Sequence, residues 1–104
     1  MPNAAVSFDW DDGNRHKCRK HGLSIGEIEM LLAQTPRVAP DHKHSQTEER
    51  FLAVGRNAKG RPMFVSFTIR VRDGQRSVRP ISARYMHEKE IENYEKEGSP
   101  VQDR

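Results

Sequence analysis

A single cysteine, Cys18, in 104 residues rules out an internal disulfide and a cysteine-rich zinc site, and makes a cytoplasmic protein the simple expectation. No run approaches the roughly 18 consecutive apolar residues that a membrane-spanning helix needs. Residues 1–10 hold Asp9 and no apolar central stretch, so no secretory signal is expected there. Large apolar side chains are scarce as well. Leu, Ile, Val and Phe number 20 of the 104 residues, close to the level at which chains stop folding. Those that are present fall into patterned segments, so we expect one domain over 1–104 with a thin core, fraying at 1–5 and 99–104. A domain this small keeps much of its surface wet, and a partner chain can complete its packing.

Charge is plentiful but unevenly spread. Residues 1–49 carry six basic against eight acidic side chains, and residues 85–104 three against six. Residues 50–84 carry eight Arg and one Lys against Asp73 alone. Arginine presents a planar fork of donors that matches phosphate, whereas a merely soluble face can use lysine equally well. Such a block suits RNA or DNA; outward-facing strand residues, or an acidic protein partner, would account for it too.

Along the chain, Val6–Trp10 reads as a short strand. Asp11 or Asp12 then caps a basic helix, Gly13–His21, which Gly22 ends. Ser24-Ile25-Gly26-Glu27 is a capping box, and Ile25, Ile28, Leu31 and Leu32 share one helical face up to Thr35-Pro36. Asp41–Thr47 reads as a polar loop. Glu49–Asn57 alternates as a strand. Arg61–Arg70 does so best, with Met63, Val65, Phe67 and Ile69 on one face and Phe64, Ser66, Thr68 and Arg70 on the other. Asp73-Gly74 is a hairpin turn, Ser77–Ala83 the next strand, and Met86–Glu97 a charged helix ended by Gly98. Pro80 removes a ladder donor, predicting an edge or a bulge there. The order describes an α+β domain: N-terminal helices, a mainly antiparallel sheet of about four strands, and a C-terminal helix.

Several pieces, in this order and spacing, resemble the BrnT toxins, the ribonuclease halves of bacterial type II toxin–antitoxin pairs. They are Phe8-Asp9-Trp10-Asp11, Asn14, Lys20-His21-Gly22, Glu49-Arg50-Phe51 with Gly55, Ile81-Ser82-Ala83-Arg84, and Glu90 with Tyr94-Glu95. The sequence departs from the family at Gly13, where Lys is usual, at Lys17, in place of an Asn, and at Pro80. The resemblance implies a RelE-like fold, an RNA substrate, and neutralisation by BrnA, a ribbon-helix-helix antitoxin that also binds the operator. With two toxins on one antitoxin dimer, a 2:2 heterotetramer is expected, touching DNA only through the antitoxin.

A toxin of this kind needs no cofactor and no metal. The RNA's own 2′-hydroxyl attacks the neighbouring phosphorus, leaving a 2′,3′-cyclic phosphate. The enzyme must accept one proton, donate another and neutralise the phosphoryl oxygens. Arg50, Arg70 and Arg84 are the candidates for the phosphate, with Glu49 as a base or as a brace for Arg50. Arg56, Arg61, Arg79 and Lys20 are the further RNA contacts. His21, in the last helical turn, reads first as a helix stop packed on the sheet and second as an acid or base. Lys17 and Arg19 flank Cys18 and would favour its thiolate, but no base lies nearby in sequence and it reads as an incidental helix residue; His42-Lys43-His44 lacks a third well-placed metal ligand and reads as a solvated loop. Trp10 and Phe8 read as core rather than as base-stacking groups. The alternative function is a noncatalytic nucleic-acid-binding or regulatory module on the same arginine face; a degenerate toxin that still binds its antitoxin is a third.

Overall fold

The computed structural model describes residues 6–34, 36–44 and 47–97, without the side chains of His44 and Glu97. In chain order it has α1 (Asp12–Arg19), α2 (Ile25–Ala33), β1 (Arg37–Pro40), a 3₁₀ turn (His42–His44), β2 (Phe51–Arg56), β3 (Pro62–Arg72), β4 (Gln75–Tyr85) and α3 (Glu88–Glu97). The strands form one antiparallel sheet in the order β1-β2-β3-β4. The fold is α+β, as the element order predicts.

Local chemistry explains most boundaries. The Asp11 carboxylate accepts the Asn14 N–H at 3.0 Å while the Asn14 side chain accepts the Asp11 N–H at 2.7 Å, so both ends of a capping box start α1. Gly22, at φ +93°, closes it by donating to the Arg19 carbonyl. In α2, Ser24 Oγ accepts from the Glu27 N–H and the Glu27 carboxylate from the Ser24 N–H. Asp73 and Gly74 both take positive φ, the geometry of a two-residue hairpin turn between β3 and β4.

The core lies between the first two helices and one face of the sheet. Cys18, Leu23, Ile28 and Leu31 meet Ala53, Met63, Val65, Phe67 and Ala83. Gly55 permits the closest approach, since a Cβ there would stand 2.3 Å from Leu31 Cδ1. Leu52, Phe64, Ser66, Ser82 and Arg84 fall on the other face by register.

The structure departs from expectation in four places. Val6–Trp10 forms no full strand: Phe8 makes one parallel bridge to Val78, secured by hydrogen bonds from Asp9 N–H to the Val78 carbonyl and from Val78 N–H to Ser7. The sheet's fourth member is instead β1, which no pattern announced because all four of its residues are exposed. The polar stretch after it begins with a 3₁₀ turn, and its Ser45 and Gln46 lie outside the described residues, as do Thr35, Gly98 and both ends expected to fray. Helix α1 ends at Arg19, earlier than the predicted His21, because Lys20 is already its cap and Gly22 turns the chain. At Pro80 the predicted bulge is present: Ser82 pairs with Ser66 but Pro80 with Phe67, leaving Ile81 as the extra residue.

Candidate functional site

On the sheet face away from the core lies a pocket of about 520 Å³. Four chain segments bring chemistry to it. From α1, packed against β4, comes Lys17, and from the turn just after it His21; the 3₁₀ turn is preceded by Asp41, β2 by Arg50, and the second half of β4 brings Ser82, Ala83 and Arg84. The Asp41 N–H donates to the Arg50 carbonyl at 2.8 Å, which extends the β1–β2 pairing and sets these two residues side by side. Leu52, Phe64 and Ser66 form the floor.

Arg84 is held firmly. Its two terminal nitrogens donate to the two Glu90 oxygens at 2.8 and 2.9 Å, a bidentate pair, and its guanidinium stands 4.7 Å from the centre of the Phe64 ring. The hydrogen bond from Arg84, with a second from the His87 N–H, pulls the Glu90 carboxyl down to about 2; the same bond raises Arg84. A second hollow of about 460 Å³ adjoins the pocket through Ala39, Leu52 and Phe64, and continues over Val38, Val54, Met86 and Tyr94 to α3.

The remaining candidates from the sequence lie elsewhere. Arg70 sits toward the hairpin end, 3.3 Å from Glu48. Arg79 is only 17% exposed and clasps Asp9 and Asp11 at 3.6 and 3.0 Å. Arg56 bonds Glu95 at 3.0 Å and the Gly60 carbonyl, and Arg61 stacks 3.6 Å from the Tyr85 ring centre. Glu49 is exposed, its backbone carbonyl taken by Thr68 Oγ1. Lys20 caps α1 in the open. His21 is exposed, so it is not the packed helix stop that its position suggested.

Two pocket residues escaped the sequence reading. Lys17 sits in the last turns of α1, four residues before His21, and the turn after the Lys20 cap brings both to the pocket. Asp41 gave no signal, because only the unforeseen β1 carries it there. Cys18 corrects a third expectation: it is fully buried, and loss of water pushes its thiol up to about 11 despite the nearby charges of Arg79 and Lys17. Trp10 packs on the core and donates to Glu29 at 2.8 Å. His42 and Lys43 are exposed, and among the described residues no group of three His, Cys, Asp or Glu side chains is arranged to hold a metal. None of the described helices is long and apolar enough to cross a membrane.

The family model for the ribonuclease toxin BrnT of type II toxin–antitoxin systems matches residues 10–90. No curated protein matches the chain. The matched stretch holds every pocket residue from Lys17 to Arg84 together with the Glu90 that braces it, and the chain belongs to the BrnT family of ribonuclease toxins.

Proposed function

We propose that this chain is an endoribonuclease toxin that acts in the cytoplasm, cleaving RNA without a metal in the pocket between α1 and the sheet. The observation that carries the reading is the convergence of Lys17, His21, Asp41, Arg50 and Arg84 from four distant segments on one hollow. Arg50, Arg84 and Lys17 neutralise the phosphoryl oxygens as the 2′-hydroxyl attacks. Histidine is the side-chain type best suited to move protons at neutral pH. His21 therefore serves as one proton-transfer group and the Asp41 carboxylate as the other. The Asp41 carboxylate takes the proton from the 2′-hydroxyl, and His21 in its protonated form gives one to the departing 5′-oxygen, so charge and atoms balance. Phe64 offers a ring face to a flanking base. Arg70 does not line the pocket and acts only on a more distant phosphate.

The partner is a BrnA-like ribbon-helix-helix antitoxin in a 2:2 heterotetramer. The cationic pocket and the apolar hollow beside it, with Val38 49% exposed, form one face suited to an antitoxin segment that is apolar and acidic.

The test is incubation of the purified protein with structured RNA in EDTA. Fragments ending in 2′,3′-cyclic phosphate are expected, and Arg84→Ala should abolish them while Arg70→Ala leaves a substantial rate. Salt-sensitive binding without cleavage would establish the noncatalytic module instead.

A further inference from the structure

Most of the arginines in the 50–84 block are already engaged: Arg56, Arg70, Arg72, Arg79 and Arg84 each meet a carboxylate. Uncommitted charge is densest on α1 and the turn that follows it. Six of the seven residues from Arg15 to His21 are basic, and all six are exposed. Among the described residues their one ion pair is Arg15 with Asp12, at a loose 4.0 Å.

Arg15 with Arg19, and His16 with the C-cap Lys20, stand in two rows of i, i+4 spacing about 100° apart around the helix; a third row is formed by Lys17 and His21, which lies just past the helix end. The Lys17–His21 row borders the catalytic pocket. The other two turn away from it and, with Asp12, line a separate open groove of about 390 Å³. A helix end is served by one or two cations in its last turn. Four Lys and Arg side chains with two histidines among them, reaching back to Arg15, exceed what the dipole accounts for.

We infer that α1 is a rail for single-stranded RNA. Nucleotides flanking the cleaved bond leave the pocket past Lys17 and His21 and cross the helix over His16 and Lys20 toward Arg15 and Arg19. No Phe, Tyr or Trp stands among the six, so the rail grips phosphates rather than reading bases. The inference rests on RNA being the substrate, and it extends the site beyond the scissile phosphate.

The probe is oligouridine with 2′-O-methyl riboses, which cannot attack, in lengths of about four and about twelve nucleotides. Affinity is measured by fluorescence anisotropy across a salt series. The wild-type protein should hold the longer strand at least about tenfold tighter, and Arg15→Gln/Arg19→Gln should remove most of that advantage. The slope of log K against log salt should fall by about 1.4, about 0.7 for each lost phosphate contact. Glutamine keeps the helix propensity. Lys59→Gln/Lys89→Gln, which removes the same charge away from α1, should retain the length dependence. An unchanged advantage in the α1 variant, or an equal loss in the control, would overturn the rail. Cleavage of unmodified RNA is scored in parallel. Length-dependent binding through α1 without cleavage would sink the ribonuclease reading alone, and cleavage with no role for α1 would sink the rail alone.

Discussion

At the scale of single residues, position in the fold separates side chains that the sequence presents as equals. His21 and Cys18 sit three residues apart on the same basic segment. One is exposed at a pocket; the other is sealed in the core with its thiol near 11. Replacing His21 by Gln should therefore lower the cleavage rate by roughly a hundredfold or more and leave the melting temperature unchanged, since no buried contact is lost. A parallel fall in melting temperature, with activity tracking the folded fraction, would return His21 to a structural role. The arginines divide in the same way. Arg79 and Arg84 lie on one strand, yet Arg79 is absorbed by Asp9 and Asp11, whereas Arg84 faces the pocket. Nothing local distinguishes them, because the acids that claim Arg79 are about seventy residues away in sequence.

At the scale of elements, α3 differs from the others in how it is attached. Helices α1 and α2 dock through Cys18, Leu23, Ile28 and Leu31. Helix α3 is tied through Glu90 to Arg84, Glu95 to Arg56, and Tyr94 beneath the guanidinium groups of Arg37 and Arg56. Its grip should follow the titration of Glu90. That carboxyl titrates near 2 in the folded chain against 4.5 ordinarily. Its stabilisation is complete above the ordinary value and is lost as pH falls from about 4.5 toward about 2. Amide hydrogen exchange, compared with β3 in the same sample, should show α3 opening more readily at about pH 3 than at about pH 6. Glu90→Gln should already show the open behaviour at the higher pH. Equal protection in all three samples would mean that the helix is held by its apolar side. The elements legible in sequence were those whose instructions are local: the N-cap of α1, the capping box of α2, the alternation of β3, the Asp73-Gly74 turn and the irregularity at Pro80. Strand β1 was not, since Arg37-Val38-Ala39-Pro40 offers one large apolar residue and owes its extended form to pairing with β2. The site inherited that blind spot. Arg50, Arg84 and His21 could be named from sequence, but Asp41 had no address until β1 was in place.

At the scale of the whole molecule, one side of the sheet is filled by α1 and α2, and the other, flanked by α3, keeps open hollows. The open side runs from the cationic pocket into the hollow under α3, a surface a single small domain cannot cover by itself. The antitoxin complex should accordingly melt at higher temperature than the toxin alone and scatter light as a 2:2 assembly. Protection from exchange should appear at Val38, Leu52 and Phe64. A complex that leaves these residues as exchangeable as in the free toxin would place inhibition elsewhere.

The buried amide of Asn14 carries a consequence for timing. It donates to the Asp9 carbonyl at 2.9 Å and to the Pro80 carbonyl at 2.8 Å, so the first helix is fastened to a strand made some sixty residues later. Chains are synthesised from the N-terminus, and contacts of such separation close late. Lys17 and His21 thus emerge from the ribosome long before Arg84 exists, with no strand to settle on. On the proposed mechanism the nascent chain is inert toward the machinery producing it, and cutting ability arrives in one step, when β4 slides into the sheet.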